Sequence, residues 1–349
     1  MSLKDKLVAQ IRATGPMGLD AYMTACLHDP DFGYYATRPK LGEGGDFITA
    51  PLVSQMFGEL IGLWAVETWS QLGRPAPFRL VEVGPGDGTL MADALRAARL
   101  APDFLAATDL WLIETSAPLA ARQREALAGV SPTWAASLDE VPAGAPVILI
   151  ANEVLDCLPV TQFVRRKEGW AERVVGLDDA GQLTFGLGPP RPAQDMAPEG
   201  TLIEMSAAQA DFTTIVGRRV LAEGGAALLI DYGGEEGGGD TLQALRNHRK
   251  EGVLDNPGEA DLTVHADFRA VRMAVKATGS KVAILPQGEF LRRLGIEQRA
   301  AKLAATDPGK AEVIARQLDR LVGDDQMGKL FQVACLYRGA DGPPPGFAA

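Results

Sequence analysis

The apolar and polar positions of the chain follow two different periods, and together they predict an α/β protein. Four short runs, of which the first, third and fourth are strongly apolar, predict strands at residues 79–83, 110–114, 146–151 and 226–232. A late strand is expected at residues 331–337. Helical segments rich in alanine and arginine separate the first pairs of strands. Buried strands that alternate with helices imply a parallel sheet covered on both faces, so the sequence predicts a Rossmann-like α/β fold.

Helical periodicity dominates the region before the first strand. Apolar residues three and four positions apart predict helices at residues 18–27 and 51–72. The segment between them is rich in glycine and aromatic residues, and it is long for a loop with no structure of its own, which is typical of functional lids. Residues 1–78 are therefore expected to form a helical N-terminal region with a lid loop.

The main domain is expected to span residues 79–337 and to carry two insertions. After the third strand, alternating polar and apolar residues predict an exposed hairpin, which places the first insertion around residues 160–200. The second insertion, around residues 233–285, begins with a glycine-dense segment. Residues 240–320 are expected to be mostly helical, and the proline-rich tail, residues 338–349, is expected to be disordered.

The most informative motif is a glycine-rich turn after the first predicted strand. Glu82 lies near the strand end, Gly84, Gly86 and Gly88 follow at alternate positions, and a helix-forming segment comes next. This order is typical of a turn that holds a nucleotide-type cofactor at a helix N-terminus. A dinucleotide motif has a different glycine spacing, and the Glu82 carboxylate would repel a pyrophosphate, which disfavours a nicotinamide dehydrogenase. The acid suits a cofactor with a cationic end, such as S-adenosylmethionine; the alternative is a glycine-rich turn without a ligand.

Further candidate cofactor contacts follow the next two strands. Ligands of an open parallel sheet bind beyond the carboxyl ends of its strands. Glu114 closes the second strand and is expected to accept hydrogen bonds from both ribose hydroxyls of the cofactor, the alternative being a solvated acid on a loop. Leu138 and Asp139 follow a strand-like segment around Trp134 and are candidates for contact with the adenine ring.

Candidate catalytic residues follow the third predicted strand, residues 146–151. Asn152, Glu153 and Asp156 emerge there, directly beside the predicted cofactor turn. A carboxylate can pair with the planar guanidinium of an arginine and localise its charge, which leaves one nitrogen better able to attack a methyl group. The alternative is structural: Asn152 would cap a helix whose first turn contains the two acids.

Two more residues are candidates for contact with a substrate. Asp231 ends the fourth strand, and His265 lies beyond the glycine-dense loop. A histidine is a potential general base near neutral pH. A lone histidine is equally expected as a structural hydrogen-bonding group, and both interpretations stay open.

The composition of the chain limits the kinds of partner and binding site that are expected. The chain has 349 residues, with 34 basic and 45 acidic side chains and a net charge of −11, which argues against a duplex nucleic-acid partner. Three distant cysteines and three histidines without metal-ligand spacing predict neither a disulfide framework nor a metal site. No stretch is apolar enough for membrane insertion, and the N-terminus lacks the apolar core of a secretory signal. A reducing, cytoplasmic location is therefore expected.

The motifs along the chain resemble those of the MidA-like methyltransferases, a family that includes an assembly factor of mitochondrial complex I. The resemblance covers about residues 15–337. It is carried by motifs at residues 45–49, 54–59, 82–88, 152–163, 230–233, 261–268, 287–296 and 326–331.

This resemblance implies a Rossmann-like class I fold, S-adenosylmethionine as the cofactor, and N-methylation of a protein arginine. The implied protein substrate is a core hydrophilic subunit of respiratory complex I (NADH:quinone oxidoreductase), whose assembly the enzyme would support. Within the family's N-terminal motif, Asp46, Phe47 and Thr49 are expected to belong to the lid loop and to close over the site.

Two other functions stay open from the sequence. The acceptor of the methyl group could be a small molecule or another protein side chain. Alternatively, the chain could be a noncatalytic assembly chaperone that retains the methyltransferase fold. The oligomeric state is not predicted.

Overall fold

The computed structural model describes residues 2–37, 49–193, 195–236, 239–339 and 342–347. The helices are α1 (Leu3–Thr14), α2 (Leu19–His28), α3 (Tyr34–Thr37), α4 (Ala50–Val53), α5 (Gln55–Gln71), α6 (Thr89–Ala98), α7 (Pro102–Ala107), α8 (Ala117–Ala126), α9 (Ala207–Glu223), α10 (Phe268–Thr278), α11 (Gln287–Arg293), α12 (Ile296–Thr306), α13 (Ala311–Val322) and α14 (Met327–Leu330). The strands are β1 (Met17–Gly18), β2 (Phe78–Val83), β3 (Thr108–Ile113), β4 (Thr133–Ala135), β5 (Val147–Asn152), β6 (Thr161–Arg166), β7 (Gly169–Leu177), β8 (Leu183–Leu187), β9 (Leu202–Met205), β10 (Gly225–Gly234), β11 (Gln243–Arg246), β12 (Arg249–Glu251), β13 (Asp261–Thr263), β14 (Ala266–Asp267), β15 (Lys281–Pro286) and β16 (Phe331–Tyr337).

The chain divides into two compact units, each assembled from separate segments of the sequence. Unit 1 comprises Met1–Phe47, Asp156–Ala210 and Glu235–Arg269, and unit 2 comprises Ile48–Leu155, Asp211–Gly234 and Ala270–Ala349. This division differs from the predicted boundary at residue 78, because α5 packs against α6 and thus belongs with the sheet of unit 2. The first predicted insertion and residues 235–269 of the second belong to unit 1 with the N-terminal residues, whereas residues 270–285 belong to unit 2.

The sheet of unit 2 runs in the order β15-β16-β10-β5-β2-β3-β4. Strands β4, β3, β2, β5 and β10 are parallel, and β16 is antiparallel to both of its neighbours. The chain begins the parallel sheet at β2, adds β3 and β4 on one side, and then adds β5 and β10 on the other. The strand order therefore reverses between β2 and β5, which is where open α/β sheets bind their ligands.

The core of unit 2 lies between this sheet and its helices. Strands β5 and β10 are buried along nearly their whole length, as expected for parallel strands covered on both faces. Helices α5 and α6 approach closely because Gly58 and Gly62 lie one turn apart on α5. A Cβ atom at Gly62 would lie 2.4 Å from the carbonyl oxygen of Ala94, and one at Gly58 would lie 2.7 Å from Cβ of Asp93.

Unit 1 is built from small antiparallel sheets and N-terminal helices. One sheet has the order β1-β7-β6-β9, with β8 paired to β7, and a second has the order β12-β11-β13. Helix α1 begins with a capping box, in which Ser2 and Asp5 each accept a hydrogen bond from the other's backbone. The core contains buried residues from α1 and α2, including Leu7, Tyr22 and Met23.

Several predicted elements are confirmed, and the prediction for part of residues 240–320 is wrong. The four predicted parallel strands correspond to β2, β3, β5 and β10, the hairpin to β6 and β7, and the late strand to β16. The expectation that residues 240–320 are mostly helical is wrong for residues 240–267, which contain β11, β12, β13 and β14. From residue 268 onward the helices α10, α11, α12 and α13 are found as expected, interrupted by strand β15. Strand β15 pairs with β16, which is distant in the sequence, so no local periodicity could indicate this pairing.

The tail also differs from the expectation of disorder in the part that the structure describes. Residues 342–347 are described, and the ring of Phe347 packs on that of Phe290 with their centroids 5.0 Å apart. Arg293 donates a hydrogen bond to the Gly346 carbonyl at 3.2 Å. An aromatic anchor thus orders a segment whose composition predicts a flexible end.

The close packing of α5 on α6 generates a stability prediction. Gly62→Ala is expected to lower the free energy of unfolding by about 1–3 kcal/mol, because backbone atoms of Ala94 cannot move away from the added methyl group as a flexible side chain could. The control is Gly309→Ala, at an exposed position where the nearest atom is a side-chain oxygen 3.4 Å away. Chemical denaturation measures both variants, and equal stability of the two would contradict the assigned helix contact.

Candidate active site

The glycine-rich turn connects β2 to α6 and requires its glycines. Gly84, Gly86 and Gly88 have φ angles of 63°, 57° and 89°, which lie in the left-handed region that favours glycine. A Cβ atom at Gly84 would lie 3.0 Å from Cγ2 of Val154, the second residue after β5. The turn and the end of β5 are therefore in direct contact, at the point where the strand order reverses.

Glu82 lies on β2 just before this turn and is 2% exposed. Its Oε2 atom is buried, and no hydrogen-bond donor among the described residues reaches it. Burial, with a smaller contribution from the negative charge of Asp87, raises the pKa of Glu82 to about 8. A buried acceptor without a donor beside a glycine-rich turn fits a ligand that brings its own positive charge, such as the ammonium or sulfonium of S-adenosylmethionine.

Glu114 immediately follows β3, and its carboxylate is held by donors on both oxygens. The backbone N–H of Ser116 donates to Oε1 at 2.7 Å, and Nε2 of Gln123 donates to Oε2 at 2.9 Å. Burial raises the pKa of Glu114, while these hydrogen bonds oppose the shift. A carboxylate fixed in this way suits the vicinal hydroxyls of a ribose. The sequence does not predict these contacts of Gln123, because a polar residue within a helix gives no signal of its hydrogen-bond partners.

The two residues predicted near the adenine lie on a short helical turn after β4. This 3₁₀ turn spans Leu138–Glu140, in which Leu138 is buried and Asp139 is exposed. An apolar side chain at this position suits the face of an aromatic ring. The contacts of both residues with the adenine stay a prediction.

The end of β5 holds Glu153 in an unusual backbone conformation. Its φ angle is 56°, which is uncommon for a residue other than glycine and costs roughly 1–3 kcal/mol. Its backbone N–H donates to the Ile230 carbonyl at 2.8 Å. Oε1 of Glu153 accepts hydrogen bonds from Nδ2 of Asn152 at 3.0 Å and from the backbone N–H of Ala50 at 3.3 Å. Burial raises the pKa of Glu153 to about 7, against the effect of these two donors.

The structure excludes the capping alternative for Asn152. No helix begins after β5, since the chain continues through bends and turns to residue 160. Nδ2 of Asn152 instead orients the Glu153 carboxylate, and its Oδ1 atom is buried without a hydrogen-bond donor among the described residues. A strained backbone and a positioned, partly neutralised carboxylate are features of a functional site rather than of a helix terminus.

Asp231, on β10, supports the segment that follows Glu153. Its side chain is 0% exposed; Oδ2 accepts the backbone N–H of Leu155 at 2.8 Å and Oδ1 accepts that of Tyr232 at 2.9 Å. These bonds fix the backbone directly after the Glu153–Val154 pair. The predicted contact of Asp231 with a substrate stays a prediction, while its role in holding this turn follows from the geometry.

The other predicted residues are placed as follows. Thr49 is the N-cap of helix α4, and its carbonyl accepts the N–H of Leu52 at 2.9 Å. Asp46 and Phe47 lie outside the described residues, so the lid that they were expected to form stays a prediction. Asp156 and His265 belong to unit 1.

Within unit 1, Asp156 and His265 have different surroundings. Asp156 is buried, and its carbonyl accepts the N–H of Val264 at 2.9 Å. His265 is exposed, its backbone N–H donates to Oγ1 of Thr241 at 2.9 Å, and partial desolvation lowers the pKa of its side chain. The two residues lie in unit 1 and the cofactor turn and Glu153 lie in unit 2, so the expected contributions of Asp156 and His265 to the site stay a prediction.

Comparison with known proteins identifies the chemistry. A family model described as "Putative S-adenosyl-L-methionine-dependent methyltransferase" matches residues 60–285. The protein arginine methyltransferase NDUFAF7, mitochondrial, of Danio rerio is 34% identical over 95% of this chain and 86% of the relative. Its Homo sapiens counterpart is 32% identical over 95% of this chain and 82% of the relative. A crystal structure from Burkholderia thailandensis bound to S-adenosylhomocysteine has 30% identity and a TM-score of 0.87, and covers 99% of this chain and 94% of that one.

These relatives also correct one expectation. The cytoplasmic location expected from the sequence is contradicted, since the curated relatives from fish, human and Drosophila melanogaster are all described as mitochondrial. Within the part of the chain that the structure describes, no helix is long and apolar enough to cross a bilayer. The same residues contain no group of histidine, cysteine, aspartate and glutamate side chains that could hold a metal ion.

The fold and cofactor expectations are confirmed by these comparisons together with the parallel sheet and its glycine-rich turn. S-adenosylmethionine is the methyl donor, and the residues around Glu82 fit it. The chain belongs to the S-adenosylmethionine-dependent methyltransferase family that contains the NDUFAF7 protein arginine methyltransferases.

Proposed function

We propose that this methyltransferase transfers a methyl group to a side-chain nitrogen of arginine in a protein substrate. The observation that carries the proposal is Glu153, a partly buried carboxylate held in a strained conformation directly after β5, next to the cofactor turn. The names of the relatives, which are protein arginine methyltransferases, support the same acceptor.

Arginine is an acceptor that needs such a carboxylate. The guanidinium has a pKa above about 12, so all of its nitrogens share a positive charge and are poor nucleophiles. A carboxylate that pairs with two of its N–H groups localises this charge and aims the third nitrogen. Glu153 is suited to this task, because Asn152 and the Ala50 N–H fix one of its oxygens and thereby the orientation of the carboxylate.

The remaining catalytic contribution is alignment. Glu82 and the turn of Gly84, Gly86 and Gly88 would hold the methionine end of the donor, while Glu114 would hold its ribose. Methyl transfer requires the attacking nitrogen, the methyl carbon and the sulfur to lie in line, and fixing this geometry removes most of the entropic barrier. The proposal depends on unit 2 alone and assigns no step to Asp156 or His265.

We further propose that the protein substrate is a hydrophilic subunit of respiratory complex I, and that methylation supports assembly of the complex. The support is the set of motifs shared with the MidA-like family, which extends over most of the chain. The acidic balance of the chain, −11, is compatible with a substrate segment that presents a basic arginine.

Replacement of Glu153 tests the acceptor chemistry. Glu153→Gln is expected to lower kcat by about 10²-fold or more, because the amide keeps the shape but cannot localise the guanidinium charge. In the wild-type enzyme, kcat/KM should rise as pH increases through about 7, since the carboxylate ionises there. The variant should lose this rise. Rates are measured by transfer of labelled methyl groups to an arginine-containing peptide.

The matched control for this experiment is Glu67→Gln, which removes an exposed acid from α5 in the same unit. It should retain both the rate and the pH profile. Full activity of the Glu153 variant, or methylation of a matched lysine peptide at the same rate, would contradict arginine transfer through Glu153. Cofactor binding without transfer to any polypeptide would favour a small-molecule acceptor or a chaperone.

The pKa of Glu82 generates a second prediction. A cationic ligand stabilises the ionised carboxylate of Glu82. At pH values below the Glu82 pKa of about 8, this carboxyl group is mostly protonated in the ligand-free protein and must lose its proton when the ligand binds. The affinity for S-adenosylmethionine should therefore rise by up to about tenfold per pH unit between about pH 5.5 and 7, a range in which an α-ammonium group stays protonated.

Calorimetry in two buffers of different ionisation enthalpy measures this proton release directly. Glu82→Gln should bind more weakly, with an affinity that no longer depends on pH in this range and with no proton release. An identical pH dependence in the wild-type protein and in the variant would show that Glu82 does not contact the cationic end of the donor.

A further inference from the structure

Gln123 connects parts of the cofactor site that are distant in the sequence. It lies on α8 and is 0% exposed. Its Nε2 atom donates hydrogen bonds to the Gly86 carbonyl at 2.8 Å and to Oε2 of Glu114 at 2.9 Å, while its Oε1 atom accepts from Nε1 of Trp134 at 2.8 Å. One amide therefore joins the glycine-rich turn, the acid after β3 and strand β4.

The chemistry of the three partners fixes the orientation of this amide. A carbonyl and an ionised carboxylate can only accept hydrogen bonds, and an indole N–H can only donate. Reversing the amide would place its oxygen against two acceptors and its NH₂ group against a donor. Both hydrogens and one acceptor position of Gln123 are thus used, so the side chain has a single favourable arrangement.

The neighbouring packing keeps this arrangement rigid. A Cβ atom at Gly88 would lie 3.2 Å from Cα of Gln123, so α8 lies directly against the turn. The guanidinium of Arg124 lies over the Trp134 ring, 4.5 Å from its centroid. The indole that donates to Gln123 is therefore itself fixed in place by a cation–π contact.

We propose that Gln123 is a positioning residue for the ribose of the methyl donor, and that it acts through Glu114. The inference rests on the proposed contact of Glu114 with the ribose, but not on the identity of the methyl acceptor. The Ser116 N–H holds one oxygen of Glu114 and Gln123 holds the other, so the plane of the carboxylate is set before the ligand arrives.

This preorganisation has a specific consequence for binding. A carboxylate that accepts from two adjacent hydroxyls must present both oxygens at once, and fixing it in advance removes the cost of ordering it on binding. The second amide hydrogen of Gln123 is donated to the Gly86 carbonyl, and this bond fixes the position of the glycine-rich turn relative to Glu114. Loss of Gln123 should therefore impair recognition of the sugar hydroxyls more than binding of the rest of the donor.

Sugar discrimination provides the test. The dissociation constants of S-adenosylhomocysteine and of its 2′-deoxy analogue are measured by calorimetry. The wild-type protein should prefer the ribose form by about tenfold or more, as expected for a hydrogen bond to a charged group. Gln123→Leu should reduce this preference to about two- to threefold, mainly by weakening the ribose ligand. A purely structural role would weaken both ligands equally and leave the ratio unchanged, which would overturn the proposal.

The matched control is Gln287→Leu. Gln287 is also 0% exposed and also lies in unit 2, but its Nε2 atom donates to the Leu321 carbonyl at 2.9 Å, away from the residues that hold Glu114. This variant should lose stability and keep the full preference for ribose. Loss of the preference in the control as well would show that general loosening of the unit, rather than Gln123, causes the effect.

Gln123→Glu provides a second, nearly isosteric variant in case the leucine variant does not fold. When protonated, the new side chain can still donate one hydrogen bond to Glu114; when ionised, it places a second negative charge beside that acid. Its affinity for S-adenosylhomocysteine, relative to the wild-type protein at each pH, should fall as pH rises. A constant ratio across pH would contradict the assigned contact.

Glu114→Gln separates failure of this inference from failure of the underlying ribose contact. If this variant keeps the preference for ribose, Glu114 does not bind the sugar and the proposed function must be revised at that residue. If Glu114→Gln loses the preference and Gln123→Leu keeps it, only the positioning role of Gln123 is overturned.

Discussion

The candidate site depends on two carboxylates near the ends of adjacent parallel strands, of which Glu82 is buried and Glu153 is partly buried. Glu82 is the penultimate residue of β2, and Glu153 follows β5, the parallel neighbour of β2 in the sheet. Removing a carboxylate from water raises its pKa and destabilises its charged form. Both pKa values are therefore raised, to about 8 and about 7. Under the proposed function, the cationic methyl donor would offset this cost at Glu82 and the cationic arginine would offset it at Glu153.

The residues around these acids keep them in place. Asp231 uses both carboxylate oxygens to hold backbone N–H groups, one of them in the segment directly after Glu153 and Val154. Gln123 performs a similar task for Glu114 and the glycine-rich turn. Neither contact supplies chemistry. Each restricts part of the candidate site to one geometry, and under the proposed function the donor would then bind to a site that is already ordered.

Local patterns predicted the parts of this structure that depend on neighbouring residues. The four parallel strands, the glycine-rich turn and the acids at the strand ends could all be identified, because apolar runs and glycine spacing are properties of short segments. The division into units could not, since unit 1 joins three segments that are far apart in the sequence. Strand β15 was missed for the same reason. From the sequence, Asn152 could also be interpreted as a helix cap. The structure has bends and turns after β5, and the side chain of Asn152 donates a hydrogen bond to Glu153.

The central claim is that the donor's methyl group passes to an arginine nitrogen of a protein. It is tested most directly by tandem mass spectrometry of complex I hydrophilic subunits, prepared without this enzyme and then incubated with it and isotopically methyl-labelled S-adenosylmethionine. The proposed function predicts label on a guanidinium nitrogen of one arginine, and no label when the Glu153→Gln variant is used. Label on another side chain, or only on a small molecule while the enzyme binds its donor normally, would contradict it.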